Sequence, residues 1–280
     1  MNASRELRYA IVTMHRRGYA SRFVESVAAV RDGPVLAAVI FCEGSPVDAQ
    51  ARRRQRRRRI RKAVSIGMLG TLNGLRMRRW FGPMLAGRLG NRDIETVCAA
   101  VGVPFIRIPS FRDSGAQETV ASLALDVAVS MGNGYIPRSF FRVPRLGMLN
   151  VHHELLPEYR GAQSVLWQLH DGSRVSGFSI HEMTERIDGG RILYREAVPI
   201  TFRPTLRDTV IDTTATIQLR SIDALPRMLR DVERRLAVAT PPADGTSYTT
   251  PGSRALVRIY RQYRRLRRGA IVAAAQRSPA

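Results

Sequence analysis

Two polar side chains stand in the sequence where apolar ones would be expected, and a third precedes a glycine pair. Asn150 and His152 lie two apart in the strand-like run "GMLNVHH" (147–153), and Asp188 precedes two glycines in "TERIDGGRIL" (184–193). Amides and imidazoles are costly to bury without hydrogen-bond partners, so their place in an apolar run calls for a use. Residues i and i+2 of a strand point to one face. An amide donor and a proton-carrying imidazole therefore converge on one spot. The Gly189–Gly190 pair after Asp188 allows a tight loop and a close approach of backbone to a flat ligand.

Such side chains need rigid strands behind them. "RYAIVTMH" (8–15) and "PVLAAVIFCEG" (34–44) are apolar runs rich in β-formers, and Phe23, Val24, Val27 and Val30 recur between them at helical spacing. Strand, helix, strand opens a parallel α/β domain. Further strands are expected at 104–110, 126–132, 147–153, 175–183 and 191–200, with helices over "RDIETVCAAVG" and "GAQETVASLA" among the earlier ones. Apolar runs without clean alternation suit strands covered on both faces. The fold class is α/β, a Rossmann-like open and mostly parallel sheet with helices on both faces. Ligands in such sheets bind at the carboxyl ends of strands, where Asn150 and His152 stand. The turn "RRGYAS" lacks the glycine spacing of a dinucleotide site, and no Walker-type P-loop occurs, which argues against a nicotinamide or NTP site there.

Two segments interrupt the pattern. Residues 48–90 hold "ARRRQRRRRIRKAVSIGMLGTLNGLRMRRWFGPMLAGRLG", far longer than an ordinary connection. Ile60, Val64, Met68, Leu72 and Leu75 recur there at helical spacing. A basic amphipathic helix pair broken near Gly74 or Pro83 is expected. The tail "SRALVRIYRQYRRLRRGAIVAAAQRSPA" is basic and amphipathic too, after a loop at 240–253 rich in Pro, Gly and Thr. "TLRDTVIDTTATIQLRSIDALPRMLRDVERRL" (205–236) reads as two helices. The expected organisation is a catalytic domain over 1–205, carrying the basic helical insertion at about 48–90, and a helical C-terminal extension with a basic tail over 206–280.

The formal net charge is +22, almost all of it Arg, since Lys62 is the only Lys. Such a bias reflects base composition as readily as a polyanion partner. For the basic segments 52–79 and 254–268, a solvated helix packing its apolar stripe on the domain weighs evenly against peripheral contact with anionic membrane; nucleic acid is supported by charge alone. Cys42 and Cys98 form no CxxC pair, so reduced buried thiols and no metal are expected. No run of about 20 apolar residues is present. The short Arg-flanked apolar run near the N-terminus is unlike a signal peptide. A cytoplasmic protein is expected, with the inner membrane surface as a candidate peripheral site and a homodimer as a candidate assembly.

The run "NVHHELLPEYRG" followed by "GFSIHEMTERIDGGRIL" resembles the formyltransferases that use 10-formyltetrahydrofolate. Asn-x-His, Leu-Leu-Pro, Tyr-Arg-Gly and Asp-Gly-Gly occur in order and in register. The likeness covers roughly residues 8 to 200 and is most specific from 126 to 200. It implies Asn150, His152 and Asp188 as the catalytic set: the amide and the imidazole stabilise an oxyanion, and the carboxylate holds the imidazole's charge state and helps relay a proton. It implies a pterin cleft lined by Gly132, Asn133, Gly134, Tyr135 and Ile136 and by Thr184, Glu185, Arg186 and Ile187. The co-substrate is then 10-formyltetrahydrofolate, with no metal, and the acceptor a small-molecule amine.

Glu154, Tyr159 and Arg160 are the candidates on the acceptor side. Many family members carry Ser where this chain has Glu154, which points to a cationic amine or a sugar hydroxyl pattern rather than a phosphate close by. His153 and His181 read as structural histidines, His15 and His170 as surface ones. An amino sugar, nucleotide-linked, is the favoured acceptor. Methionyl-tRNA is the first alternative, but enzymes acting on it usually carry a further β-barrel domain, for which residues 201–280 look too short and helical. A purine precursor, water as acceptor, and a catalytically idle membrane- or RNA-binding protein complete the alternatives.

Overall fold

A computed structural model describes residues 6–28, 32–44, 49–161 and 163–275. In chain order it contains β1 (Arg8–Thr13), α1 (Tyr19–Val27), β2 (Val35–Cys42), α2 (Ala49–Arg79), a π-type turn (Trp80–Met84), α3 (Leu85–Arg88), α4 (Ile94–Val101), β3 (Phe105–Ile108), α5 (Ser114–Ser122), β4 (Val127–Ser130), α6 (Arg138–Phe141) and β5 (Met148–His152). There follow β6 (Tyr159–Gly161), α7 (Leu166–His170), β7 (Val175–Glu182), β8 (Ile192–Pro199), α8 (Leu206–Arg230), α9 (Val232–Val238), β9 (Thr246–Tyr248) and α10 (Ser253–Ala275).

Seven strands form one sheet in the order β3-β2-β1-β4-β5-β7-β8. The first five are parallel, and β7 and β8 run antiparallel to their neighbours. All seven strands expected from the apolar runs are present. Strands β1 and β4 are buried almost throughout, because helices cover both faces. Edge strand β8 carries the consecutive charges Arg195 and Glu196, and charged side chains on an edge discourage pairing with another chain.

The helix ends follow local chemistry. Asp93 caps α4 by accepting from the Glu95 N–H, and Gly102 closes that helix in the left-handed region at φ 72°. Asp113 caps α5 and Thr205 caps α8 in the same way. Helix α2 is interrupted at Gly67 (φ 73°) rather than at Gly74, and the chain turns again at Gly82–Pro83. A position that adopts a positive φ without strain decides where the helix bends; Gly74 stays helical.

Helix α8 lies within the core. Its Val210, Ile217, Leu225 and Leu229 are fully buried with Phe178, Ile180 and Leu149 of the sheet. Its polar stripe is buried as well, and Tyr19 of α1 shares a 2.7 Å hydrogen bond with Ser221. Helix α10 returns along α7 and α2, burying Leu256, Ile259, Tyr263 and Leu266. The segment read as a loop at 240–253 instead holds β9, which pairs in parallel with β6. Gly161 (φ 105°) makes that pairing fit, since a Cβ there would collide with the Tyr248 carbonyl.

Truncating Leu225 to Ala is expected to cost about 2–5 kcal/mol, the range for a fully buried aliphatic side chain. Urea unfolding monitored by circular dichroism measures it. A loss under about 1 kcal/mol would mean that α8 is an appendage to the core rather than part of it.

Candidate active site

Strand β5 ends at the edge of the sheet where the site is built. Its partner β7 is antiparallel, with Asn150 opposite His181 and His152 opposite Ser179. The loop after β7 brings Asp188 back over the same edge. Asp188 sits at φ 50°, a left-handed conformation that Asp tolerates better than most residues. Gly190 lets the loop leave again, since a Cβ there would strike the Glu182 carbonyl.

The structure brings Asn150, His152 and Asp188 together. One Asp188 carboxylate oxygen lies 3.9 Å from His152 Nδ1 and 3.8 Å from His181 Nε2. The other accepts the Gly161 N–H at 2.9 Å. Hydrogen-bond partners assign the tautomers. His152 Nε2 is 3.1 Å from the Tyr159 carbonyl, which can only accept, so Nε2 carries a proton and Nδ1 faces Asp188. His181 Nδ1 is likewise bound to the Glu182 carbonyl at 2.9 Å, leaving Nε2 to accept from Asn150 Nδ2 at 3.2 Å. Burial and the neighbouring His152 hold His181 well below the ordinary imidazole value, which favours that neutral form.

His181 therefore orients the Asn150 amide and engages one of its two N–H bonds. The other is available to a ligand in the cavity that Asn150 and His152 line. Sequence reasoning gave His181 a structural role. Only the strand register puts it opposite Asn150, and a register is not visible in an apolar run.

A cavity of about 800 Å³ opens in front of this cluster. One wall holds Gly132, Asn133, Asn150, His152, His153 and Glu154, and α8 adds Thr214 and Gln218. The opposite wall is α2 and the turn after it, with Ile66, Leu75, Met77 and Phe81. His153 packs edge-on against Tyr19, 4.8 Å between ring centroids. Desolvation, then the neighbouring His152, lowers it to about 3, so it is neutral throughout the working range.

Glu154 is buried at the cavity wall. One carboxylate oxygen accepts from Gln168 Nε2 at 2.8 Å, and the other has no partner. Burial raises its pKa to about 7, with a smaller push from Asp188. The side chains of Tyr159 and Arg160 lie elsewhere. Tyr159 stacks on Tyr248 and donates to Asp171, and contributes its carbonyl to His152. Arg160 is buried and donates to the Ala243 carbonyl at 2.9 Å, tying β6 to the segment before β9.

The loops expected to line a pterin cleft divide. Gly132 and Asn133 border the cavity. Asn133 donates to the Val12 carbonyl and to Ser130, leaving its Oδ1 unpartnered. Gly134 follows, Ile136 is in the core, and Tyr135 is exposed. On the second loop Thr184 bonds the Arg186 carbonyl, Glu185 pairs with Arg138, Arg186 pairs with Asp244, and Ile187 is exposed. These residues flank the site outside the cavity. Among the described residues no cluster of His, Cys, Asp and Glu could hold a metal ion.

The fold is a mostly parallel, Rossmann-like α/β sheet that carries an amide, an imidazole and a carboxylate together at its carboxyl edge. The model of the formyl transferase family matches residues 17–225, and the chain belongs to that family. The methionyl-tRNA formyltransferase of Parvibaculum lavamentivorans is 34% identical over 162 residues, which are 56% of this chain and 50% of the relative. The chain spans about half the length of the curated relatives it matches. Among solved structures, glycinamide ribonucleotide transformylase 1 of Symbiobacterium toebii superposes with a TM-score of 0.54 at 17% identity, over 82% of this chain and 89% of that one. A sugar N-formyltransferase of Shewanella sp. superposes with a TM-score of 0.52 at 13% identity, over 91% and 87%. These two likenesses concern the fold.

The buried Glu154 makes stability depend on pH. Its folded pKa of about 7 lies above the ordinary 4.5, so between these values the folded chain keeps a proton that the unfolded chain releases. Stability from this group is therefore full below the ordinary value and is lost as pH rises through the window. Relative to wild type, Glu154→Gln is expected to gain stability across that window, approaching ~3 kcal/mol above it. Melting curves of both proteins over pH 4 to 8 test this, and parallel curves would contradict it.

Proposed function

We propose that the chain catalyses transfer of a formyl group from 10-formyltetrahydrofolate to a primary amine. What carries this reading is the convergence of a free Asn150 N–H and the His152–Asp188 pair on one cavity, in a chain of the formyl transferase family. The fit to a pterin-bearing donor rests on the cavity's own chemistry. Asn133 Oδ1, Glu154 Oε1, Gln163 Oε1 and Gln218 Oε1 are buried there without partners, and such oxygens call for N–H or O–H donors. A pterin ring and an amino sugar both bear them.

The co-substrate supplies an activated formyl carbon, whose bond to the donor nitrogen breaks as the acceptor amine bonds to it, while one proton leaves the amine and one reaches the donor nitrogen. Asn150 holds its free N–H toward the cavity, with its other N–H engaged by His181, so it can meet negative charge developing on the formyl oxygen without reorganising. His152 offers Nδ1 to the amine proton, its ring held by the Tyr159 carbonyl. Asp188 stabilises the imidazolium that forms and is kept in place by the Gly161 N–H.

An amino sugar, nucleotide-linked, is the acceptor we favour, and the unpartnered Glu154 oxygen supports it. A buried carboxylate attracts an ammonium or a sugar hydroxyl and repels a phosphate placed beside it. The identity to methionyl-tRNA formyltransferases favours a second reading, with an aminoacylated RNA as acceptor.

Asn150→Ala and His152→Ala are each expected to lower kcat roughly 10²–10³-fold, with a smaller change in KM. Release of tetrahydrofolate is followed with a panel of amino sugars and methionyl-tRNA. Wild-type turnover in either variant would overturn the mechanism, and turnover with methionyl-tRNA alone would replace the favoured acceptor.

A further inference from the structure

Ile66 and Met77 of α2 help wall the cavity. On either side of the Gly67 kink, Val64 is 78%, Met68 76% and Leu72 51% exposed, as are Ile60, Leu69 and Leu75. Helix α10 continues the band: Val257 and Tyr260 border the groove that Leu69 and Leu72 line from α2. The two helices approach closely at Gly70 and Gly252, where a Cβ on Gly70 would lie 3.3 Å from the Gly252 Cα. Ser253 donates to the Ile66 carbonyl across the join. So many exposed aliphatic side chains on and around one groove are unusual on a monomer and mark an interaction site.

The charge around the band has one sign. No Asp or Glu occurs between Asp48 and Asp93, and none after Asp244. Arg57, Arg61, Arg76 and Arg79 of α2 and Arg261 and Arg264 of α10 are exposed along it. Three occupants can be weighed by chemistry. A second copy of this chain would bring the same cations face to face with no carboxylate from either segment to offset them. RNA matches the charge, but single-stranded recognition uses aromatic platforms for bases. Here the side chains between the arginines are aliphatic, and Tyr260 is the one large exposed aromatic in the band. An anionic lipid surface matches both features, with aliphatic side chains entering the acyl boundary and guanidinium groups meeting lipid phosphates.

We propose that the outer face of α2 and α10 docks on an anionic lipid bilayer. No helix among the described residues is long and apolar enough to cross a membrane, so the contact is peripheral. Ile60 and Leu75 belong both to the exposed band and to the rim of the catalytic cavity. Docking therefore sets the cavity beside the lipid headgroups. Binding itself needs no turnover, so it stands or falls independently of the proposed formyl transfer.

Co-sedimentation of the full chain with vesicles of phosphatidylcholine, with and without phosphatidylglycerol, tests this. Binding is expected on the phosphatidylglycerol vesicles and to be weakened by salt. The triple variant Val64→Ser, Met68→Ser, Leu72→Ser should partition roughly tenfold more weakly or worse. A second variant, Arg57→Gln, Arg61→Gln, Arg264→Gln, should lose the preference for phosphatidylglycerol; melting curves check that both variants fold. Equal binding to both vesicle types by wild type, or undiminished binding by the serine variant, would overturn the proposal. So would a dimer in sedimentation that the serine variant dissolves, or RNA binding that both wild type and the serine variant show without vesicle binding.

Discussion

The register between β5 and β7 is the constraint on which the site depends. Antiparallel pairing sets Asn150 opposite His181, and the loop leaving β7 then returns Asp188 between two imidazoles. A slip of one residue would turn every side chain of the pair to the other face. It would put Val151 at the site and the two polar residues into the core. Leu149 and Val151 pack in the core on one face of β5, and a slip would pull both out of it. Core packing thus fixes the register that presents Asn150 and His152 at the site.

Electrostatics follow from that placement. One carboxylate faces two histidines, and the chain settles which imidazole is available. His181 gives its Nδ1 proton to a carbonyl and its Nε2 to Asn150, so it has no free proton site, and burial disfavours its charged form. His152 is tied only through Nε2 and keeps Nδ1 toward Asp188. The two rings are of the same type and 6.2 Å apart, yet their partners give them different work. Glu154 adds a second buried carboxyl nearby, which is more easily held protonated with Asp188 charged beside it.

Strands and helices were legible because their signals are local. The seven strands of the main sheet announce themselves as apolar runs, Asn150 and His152 by polar character in the wrong company, and Asp188 by the glycine pair after it and the motif order of the family it resembles. What escaped is non-local. Strand β9 is three residues long and exists because Gly161 admits the Tyr248 carbonyl. His181 reads as a core histidine until the strand opposite is known. Tyr159 and Arg160 looked equipped for a ligand, but a side chain's direction in a turn depends on what packs beneath it. Here the Tyr159 hydroxyl donates to Asp171 and an Arg160 terminal N–H donates to the Ala243 carbonyl. A break was expected near Gly74 or Pro83; the chain turns at Gly82–Pro83 and also at Gly67, while Gly74 stays helical. Gly67 and Gly70 lie against Ser253 and Gly252 at the start of α10, a contact that no local signal encodes.

A net charge of +22 suggests a uniformly basic molecule, and its distribution is otherwise. Across the sheet edges and loops arginines meet carboxylates: Arg16 with Asp93 and Glu95, Arg107 with Glu95, Arg145 with Asp126, Arg191 with Glu182, Arg203 with Asp212. The exposed ones among these pairs contribute at most about 1 kcal/mol each, but together the pairs neutralise the surface around the fold. The acidic residues needed for such pairing are missing from the segments that form α2 and α10. A general enrichment in Arg accounts for the number of positive charges. It does not account for the absence of Asp and Glu from two helices that lie side by side and carry the exposed aliphatic side chains, one of which, α2, also walls the cavity. The excess charge of the molecule therefore has a location, and that location borders the mouth of the site.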